Sequence, residues 1–518
     1  MTFQKQKQLA NWFQNNSLLN IACPTGFGKG YVMINDIIRR FTETDENLIL
    51  IATHRLALNN QHLTDTMNRV KDDNIGNISF IINGSGSFNF KEYAPKRIST
   101  SDFGVTVSSK EEMNLQVDRL LELEKKIVII TTYHSLINVS DLKNIDVAYF
   151  DEAHTLVNAS EAEKDFEKSY NKIKDNCKNK FFLTATPKDT KYDNGFALNN
   201  KEIFGERVGF TYDECREDGY VTNLKLHTIY PEDIDIKKFK RTPKNQAILI
   251  NRAYTKHTEL VKRESYNHEL IDTKLLIKCD GIINMNDTFN ELIELYKGTD
   301  IKLMCGASSD GYNGREQYRT YENGRESTHT KDEYMQILYS FKDTDKCIVL
   351  HVDTLSEGIN VSGFTGIMFL TENIPTAPKL IQNVGRAMRL CKYDKMNWIN
   401  GKITGADYEE WVKPNCYIII PFFDDDSKVV QQKMRELIIP FRDNNSLFSI
   451  TVQIGNDIGN TDGNYADEIF NTIDQFKKVK TDYIDKVIND IEKEKEDHEF
   501  ENMSVEEAND KFLNLFNK

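Results

Sequence analysis

Three groups of residues in this 518-residue chain have types and spacings suited to phosphate chemistry. Pro24-Thr25-Gly26-Phe27-Gly28-Lys29-Gly30 follows the apolar run Leu18-Leu19-Asn20-Ile21-Ala22 and precedes residues whose apolar positions recur at helical spacing. In a strand–turn–helix setting the glycines let backbone N–H groups converge on phosphate oxygens. The helix N-terminus adds positive potential, and Lys29 reaches the β/γ-phosphates. Asp151-Glu152 comes directly after Val147-Ala148-Tyr149-Phe150. There one carboxylate can hold hydrated Mg²⁺ while the next orients and deprotonates an attacking water. Arg386 and Arg389, three apart, share one face if their segment is helical. One residue departs from the pattern: the hydroxyl that usually follows the loop lysine and ligates Mg²⁺ is replaced by Gly30. Because Mg²⁺ readily keeps several waters, water is expected to fill that position and leave a metal-hungry site, which Gly30→Thr would relieve.

These groups need strands to carry them. Short β-branched or apolar runs alternate with helical patterns, the rhythm of α/β domains with mainly parallel sheets. After Leu18–Ala22 the strand candidates of the first half are 48–53, 78–82, 127–132, 147–151 and 181–184. The second half repeats the rhythm at 274–278, 302–305, 346–352, 366–371 and 416–421. Several runs end in a chemical motif, as expected where ligands gather at the carboxyl ends of a doubly wound sheet. Two such units create a cleft between them, with the join near residues 205 to 235. The polar, Gly-containing stretch Asp310–Lys331 reads as a loop insertion. Beyond about residue 440 the rhythm fades; Ile484, Val487, Ile488 and Ile491 follow helical spacing, so a terminal amphipathic helix is expected.

Composition narrows the class. Hydrophobic content of 39% and charged content of 28% suit a globular fold. Eight cysteines are scattered singly with no C-x-x-C pair, which argues against a zinc ribbon or disulfide framework and for a reducing, cytoplasmic setting. No run approaches membrane-spanning length, so no membrane partner is expected. The net charge of −14 is unusual for a nucleic-acid binder, but Asp490–Asp510 holds ten acidic residues against Lys493 and Lys495. More than half of the excess therefore lies in the tail, and a local basic track on the remainder stays possible.

Together with Asp151-Glu152-Ala153-His154, Thr184-Ala185-Thr186 and Gln382-Asn383-Val384-Gly385-Arg386-Ala387-Met388-Arg389, the phosphate loop resembles the motor core of superfamily 2 helicases and translocases. The resemblance covers roughly residues 1 to 425. It implies two tandem RecA-like, doubly wound parallel-sheet domains, at 1–222 and 223–435, followed by a small, mostly helical acidic extension at 436–518. It also implies ATP and Mg²⁺ as cofactors, with Pro24 to Gly30 cradling phosphate and Asp151 holding the metal. Catalysis would fall to Lys29, Asp151, Glu152, Arg386 and Arg389. Gln382 would contact the nucleotide or the phosphate loop, and His154, Thr184 and Thr186 would couple nucleotide state to movement. Gln4, Gln6 and Gln8 all lie where relatives carry an adenine-reading glutamine, and Phe3-Gln4 imitates that pair best.

Asp353-Thr354-Leu355-Ser356-Glu357-Gly358-Ile359-Asn360 resembles the family segment that links ribose to nucleic acid, with Asn360 in place of the usual Asp. Gly358 and Asn360 are thereby assigned to the nucleotide and Thr354 to the strand. Thr53, His54, Arg55 and Gln61, with Thr132, fall in segments that resemble the family's strand-binding motifs. Hydroxyls and N–H groups at strand ends can grip phosphates without reading bases. The resemblance implies an ATP-dependent helicase or translocase acting on DNA rather than RNA. Two alternatives are a motor subunit of a restriction or defence complex and a nucleotide-gated binding scaffold. The C-terminal extension is expected to pack on the core or to offer a surface to a protein partner.

Overall fold

The computed structural model describes residues 4–423 and Val452–Gln453, leaving out 55, 74, 85–87, 89, 91–92, 94–98, 158–163, 188, 190–195, 230–238, 308–316, 353–362, 372–376, 406–407 and 422. The first half contributes β1 (Leu18–Ala22), β2 (Leu48–Thr53), β3 (Ile78–Asn83), β4 (Gly104–Val107), β5 (Lys126–Thr132), β6 (Ile145–Asp151), β7 (Cys177–Thr184) and β8 (Glu206–Gly209). They form one sheet in the order β4-β3-β5-β2-β6-β7-β1-β8, and every neighbouring pair is parallel. All residues of β2, β3 and β6 are buried, as a parallel sheet covered by helices on both faces requires.

The order β6-β7-β1 decides the chemistry. Register sets Ala22 beside Thr184 and Asp151 beside Leu183. The phosphate loop, the Asp-Glu pair and the Thr-Ala-Thr segment therefore leave the sheet at adjacent carboxyl ends. Helix α1 (Gln4–Asn15) packs Leu9 and Phe13 inward, and α2 (Lys29–Glu43) turns Val32, Met33, Ile37 and Phe41 to the same core. Helix α3 (Leu56–Asp72) follows β2.

The second half contributes β9 (Asn223–Ile229), β10 (Lys274–Lys278), β11 (Lys302–Ala307), β12 (Gln317–Glu322), β13 (Arg325–His329), β14 (Cys347–Val352), β15 (Gly366–Phe369), β16 (Asn415–Pro421) and β17 (Val452–Gln453). Their order is β13-β12-β11-β14-β10-β15-β16-β9-β17. One expectation is corrected here. Residues 317–329, read as part of a loop insertion, form an antiparallel hairpin on the edge of this sheet. Asn323 and Gly324, at φ 52° and 78°, make the two-residue turn, whose left-handed residues match the twist of the strands.

Between the sheets, Thr211 caps the helix Tyr212–Glu217 through a reciprocal bond with Glu214. An apolar cluster runs from Leu9, Ile21 and Phe27 through Tyr220 to Val384 and Ile418, so the two halves share packed side chains. The amphipathic pattern at Ile484–Ile491 lies outside the described residues, as does the rest of the 436–518 extension except the short β17. Among the described residues no helix is long and apolar enough to cross a membrane. The eight cysteines are free and buried.

Candidate active site

The chain turns from β1 into α2 through Gly26 and Gly28, at φ 95° and 94°, a conformation that side chains with a Cβ rarely adopt. Phe27 points back into the core, its ring 4.9 Å from that of Tyr220 and 5.4 Å from that of Phe210. Gly28 caps α2 without a side chain, so the N–H groups of the first turn have no side-chain acceptor from the cap. Lys29 Nζ donates to the carbonyl of Cys23 at 2.7 Å and to that of Pro24 at 3.4 Å. The Thr25 hydroxyl is buried and has no hydrogen-bond partner among the described residues.

Asp151 ends β6 and is buried. Its Oδ1 accepts the Glu152 N–H at 3.0 Å, and its Oδ2 lies 2.8 Å from Nε2 of His62, a buried residue of α3. Burial alone would push the Asp151 carboxyl up. The His62 hydrogen bond and charge, with Lys29 nearby, outweigh it and hold the carboxyl below its ordinary range. His62 shows the complement, burial lowering it and the Asp151 bond carrying it above the usual imidazole range. Tyr133 donates its hydroxyl to the Asp151 carbonyl at 2.7 Å, fixing the strand end. Glu152 sits at φ 53°, a strained position for a residue with a side chain. His154 Nδ1 lies 3.4 Å from Glu152 Oε2 and 3.0 Å from the Thr184 hydroxyl, which accepts the Thr186 N–H at 3.0 Å. The Asp-Glu-Ala-His and Thr-Ala-Thr segments are thus joined through one histidine.

The second half closes this arrangement. The helix Ala377–Ala387 carries Gln382 and Arg386, and Arg389 follows its end. A Cβ added at Gly385 would come within 2.4 Å of Thr25 Cβ, so the glycine lets the helix rest directly on the phosphate loop. Burial lowers the Arg389 guanidinium to about 10. A cavity of about 780 Å³ is lined by the phosphate loop, Asp151, Glu152, Gln382, Arg386 and Arg389. Both halves therefore supply charged groups to one cleft.

Residues 3–189 match the family described as Type III restriction enzyme, res subunit. The structure is similar to the ATP-dependent Type ISP restriction-modification enzyme LlaBIII bound to DNA, with TM-score 0.59 and 15% identity over 87% of this chain and 31% of that one. A nuclease-deletion mutant of the Type ISP enzyme LlaGI in complex with a DNA substrate mimic gives TM-score 0.53 and 13% identity over 94% and 34%. The DUF1998 helicase MrfA bound to DNA and AMPPNP gives 0.53 and 14% over 87% and 52%. The chain shares the fold of these proteins over most of its length. The chain spans about a third of the length of the two Type ISP enzymes. No curated protein matches it in sequence.

Within this fold, most of the expected residues meet at the cleft, and some do not. Gln4 is exposed on α1; Gln6, two residues on, lines the cavity and donates Nε2 to the Phe27 carbonyl at 2.9 Å. Helical geometry explains the shift, since residues two apart point in very different directions. Thr53 is fully buried, with its hydroxyl 2.7 Å from the Asn59 amide, and Thr132 is buried with its hydroxyl on Ser135 at 3.3 Å. His54 and Gln61, expected on a nucleic-acid track, line the same cavity as the phosphate loop. Arg55, Thr354, Gly358 and Asn360 lie outside the described residues. His62 was not among the expected residues. Its only sequence signal is the missing hydroxyl at Gly30: a Cβ placed there would lie 3.4 Å from His62 Cε1, so an imidazole borders the space assigned to water.

Proposed function

We propose that this chain is an ATP-hydrolysing motor that moves on or unwinds a nucleic-acid strand, DNA in preference to RNA. The observation that carries the reading is the meeting of Lys29, Asp151, Glu152, Arg386 and Arg389 in one cavity between two sheets. Phosphate would draw Lys29 Nζ from the Cys23 and Pro24 carbonyls and engage the N–H groups at the start of α2. The buried Thr25 hydroxyl is the kind of orphaned polar atom that a bound phosphate or its water satisfies. Glu152 takes the proton of the attacking water. Arg386 and Arg389, carried by the other half, meet the charge that builds on the transferred phosphoryl group. Gln6 replaces Gln4 as the residue proposed to read the base, and Gln382 is proposed to contact the nucleotide.

A divalent ion fits this donor set in a limited way. Among the described residues no three His, Cys, Asp or Glu side chains gather as a metal-binding group, and Gly30 brings no oxygen. Asp151 would hold the ion together with the nucleotide's own phosphates and water, and the ion would neutralise charge between the phosphates. His154, bridging Glu152 to Thr184 and Thr186, is placed to report nucleotide state to the segment after β7. The strand is proposed to run across the ends of β2 and β5, where Thr53 and Thr132 contribute backbone groups and His54 and Gln61 serve the nucleotide side. A join near residues 222 and 223 is supported by the first sheet ending at Gly209 and the second beginning at Asn223, while β17 carries the second sheet past the proposed limit of 435.

The match to the res subunit family favours a second reading, a motor subunit whose nuclease or methyltransferase resides elsewhere. ATP hydrolysis measured with single-stranded, duplex and branched DNA and with RNA tests the main reading. Turnover raised by DNA supports it; turnover unmoved by any nucleic acid overturns it. Co-purification with a nuclease or methyltransferase would support the second reading.

A further inference from the structure

The space beside Gly30 holds the imidazole of His62, with Cε1 3.4 Å and Nδ1 3.9 Å from the position a Cβ would take. The same ring sets Nε2 2.8 Å from Asp151 Oδ2. His62 is 4% exposed and Asp151 8%, so the pair is built into the floor of the cleft rather than resting on its surface. A Cβ at residue 30 would meet this ring in ordinary van der Waals contact, so the imidazole borders the place a loop hydroxyl would take. The glycine and the histidine are therefore two halves of one arrangement: the loop gives up its hydroxyl, and α3 supplies a nitrogen in its place. The separation fits a shared ligand as well as a hydrogen bond, because neighbouring corners of an octahedron with bonds of ~2.1 Å lie about 3 Å apart; the cation would displace the proton that Nε2 now donates to Oδ2 and release it to solvent.

We propose that His62 takes over the metal-ligating role of the missing loop hydroxyl, so that the nucleotide-bound cation is held by one carboxylate and one imidazole and is Mn²⁺ in preference to Mg²⁺. Mg²⁺ favours oxygen ligands and gains little from nitrogen, whereas first-row ions such as Mn²⁺ accept imidazole. The inference rests on the reading of the cleft as a nucleotide site.

The test uses the full chain, a non-hydrolysable ATP analogue, and Mg²⁺ or Mn²⁺ as the only divalent ion. Calorimetry is expected to show roughly tenfold tighter analogue binding with Mn²⁺, the scale of effect attached to one metal-site contact. Electron spin echo spectra of the Mn²⁺ complex should show coupling to a histidine nitrogen. His62→Asn should lose both the coupling and the preference, and Gly30→Thr/His62→Ala, which restores the hydroxyl and clears the ring, should bind better with Mg²⁺. The wild-type spectrum needs no variant to fold, so it decides alone if His62→Asn is unstable. Equal binding with the two ions and no nitrogen coupling would overturn the role of His62 while leaving the nucleotide site intact. Absence of analogue binding with either ion would overturn both.

Discussion

The two halves of the molecule bury their charges in different ways. In the first half, buried charges sit in opposite-sign clusters. Asp36 accepts from Arg39, Arg40 and the Tyr149 hydroxyl, Arg40 also reaches Glu46, and Asp151 faces His62. In the second half, buried cations lean on the backbone. Lys274 donates to the carbonyls of Lys342 and Asp343, and Lys413 to those of Ala387 and Arg389, the residues that end the arginine segment. Asp394 accepts the N–H groups of Val412 and Lys413. His227 and His257 are held neutral by burial. The difference fits the proposed work of each half: a site that would grip phosphate and a cation needs carboxylates of fixed charge, and a helix that would deliver arginines needs its end pinned.

The strongest test separates gripping from delivery. Lys29→Ala should abolish analogue binding as well as turnover. Arg386→Ala should lower turnover by about 10³-fold or more while leaving nucleotide affinity within roughly tenfold. Glu152→Gln should cost about 10²–10⁴ in turnover at unchanged affinity. Single-turnover hydrolysis beside equilibrium binding resolves these cases. If Arg386→Ala lost binding as fully as Lys29→Ala, the division between the halves would fail.

Stability gives the next contrast. Removing one member of an ionic cluster leaves an uncompensated buried charge, so Asp36→Ala should cost about 3–5 kcal/mol in denaturant unfolding. Lys413→Met removes a cation whose Nζ donates to two carbonyls, and about 1–3 kcal/mol is expected. Equal losses would erase the distinction.

Acid should act through the second half. Burial is the main cause that takes His227 down to about 4 and His257 to about 3, from an ordinary 6.5. Both folded-state values lie below the unfolded one, so the unfolded chain binds the proton first. Their contribution is fully present above pH 6.5 and is lost as pH falls toward 4 and then 3, by up to about 1.4 kcal/mol per pH unit for each histidine. His227→Leu should flatten the decline in urea midpoint between pH 6.5 and 5. An unchanged slope would place the acid sensitivity elsewhere.

The smallest effect concerns the hairpin at the edge of the second sheet. Gly324 has φ 78° and nothing within 4 Å of an added Cβ, so Gly324→Ala should cost about 1 kcal/mol from backbone conformation alone. Thermal unfolding measures it, and a loss well above that would mean the hairpin packs more tightly than the open space indicates.

Much of the architecture is legible along the chain because its signals are local. Buried parallel strands read as unbroken apolar runs, which placed 48–53 and 274–278 where β2 and β10 lie. The hairpin was not read: Asn323-Gly324 is a strong short-range turn signal, but the polar, exposed Arg325–Thr328 lacks the apolar alternation that marks a strand. Strands β4 and β8 were missed because they are four residues long.

By itself, the sequence determined the groups that leave the strand ends: the glycines that bend the phosphate loop, Lys29, the Asp151-Glu152 pair and the arginine spacing. Each depends on residues adjacent in the chain, where backbone periodicity and glycine's conformational range act directly. Tertiary structure alone decided which glutamine of α1 faces the loop, that His54 and Gln61 turn toward the cavity, and that Gly385 rests on Thr25. It alone decided which side chain borders Gly30. His62 lies 89 residues from Asp151 in sequence, and no local pattern records that distance. Side-chain packing across the sheet brought the two within 2.8 Å, because only a folded core holds a buried imidazole against a buried carboxylate.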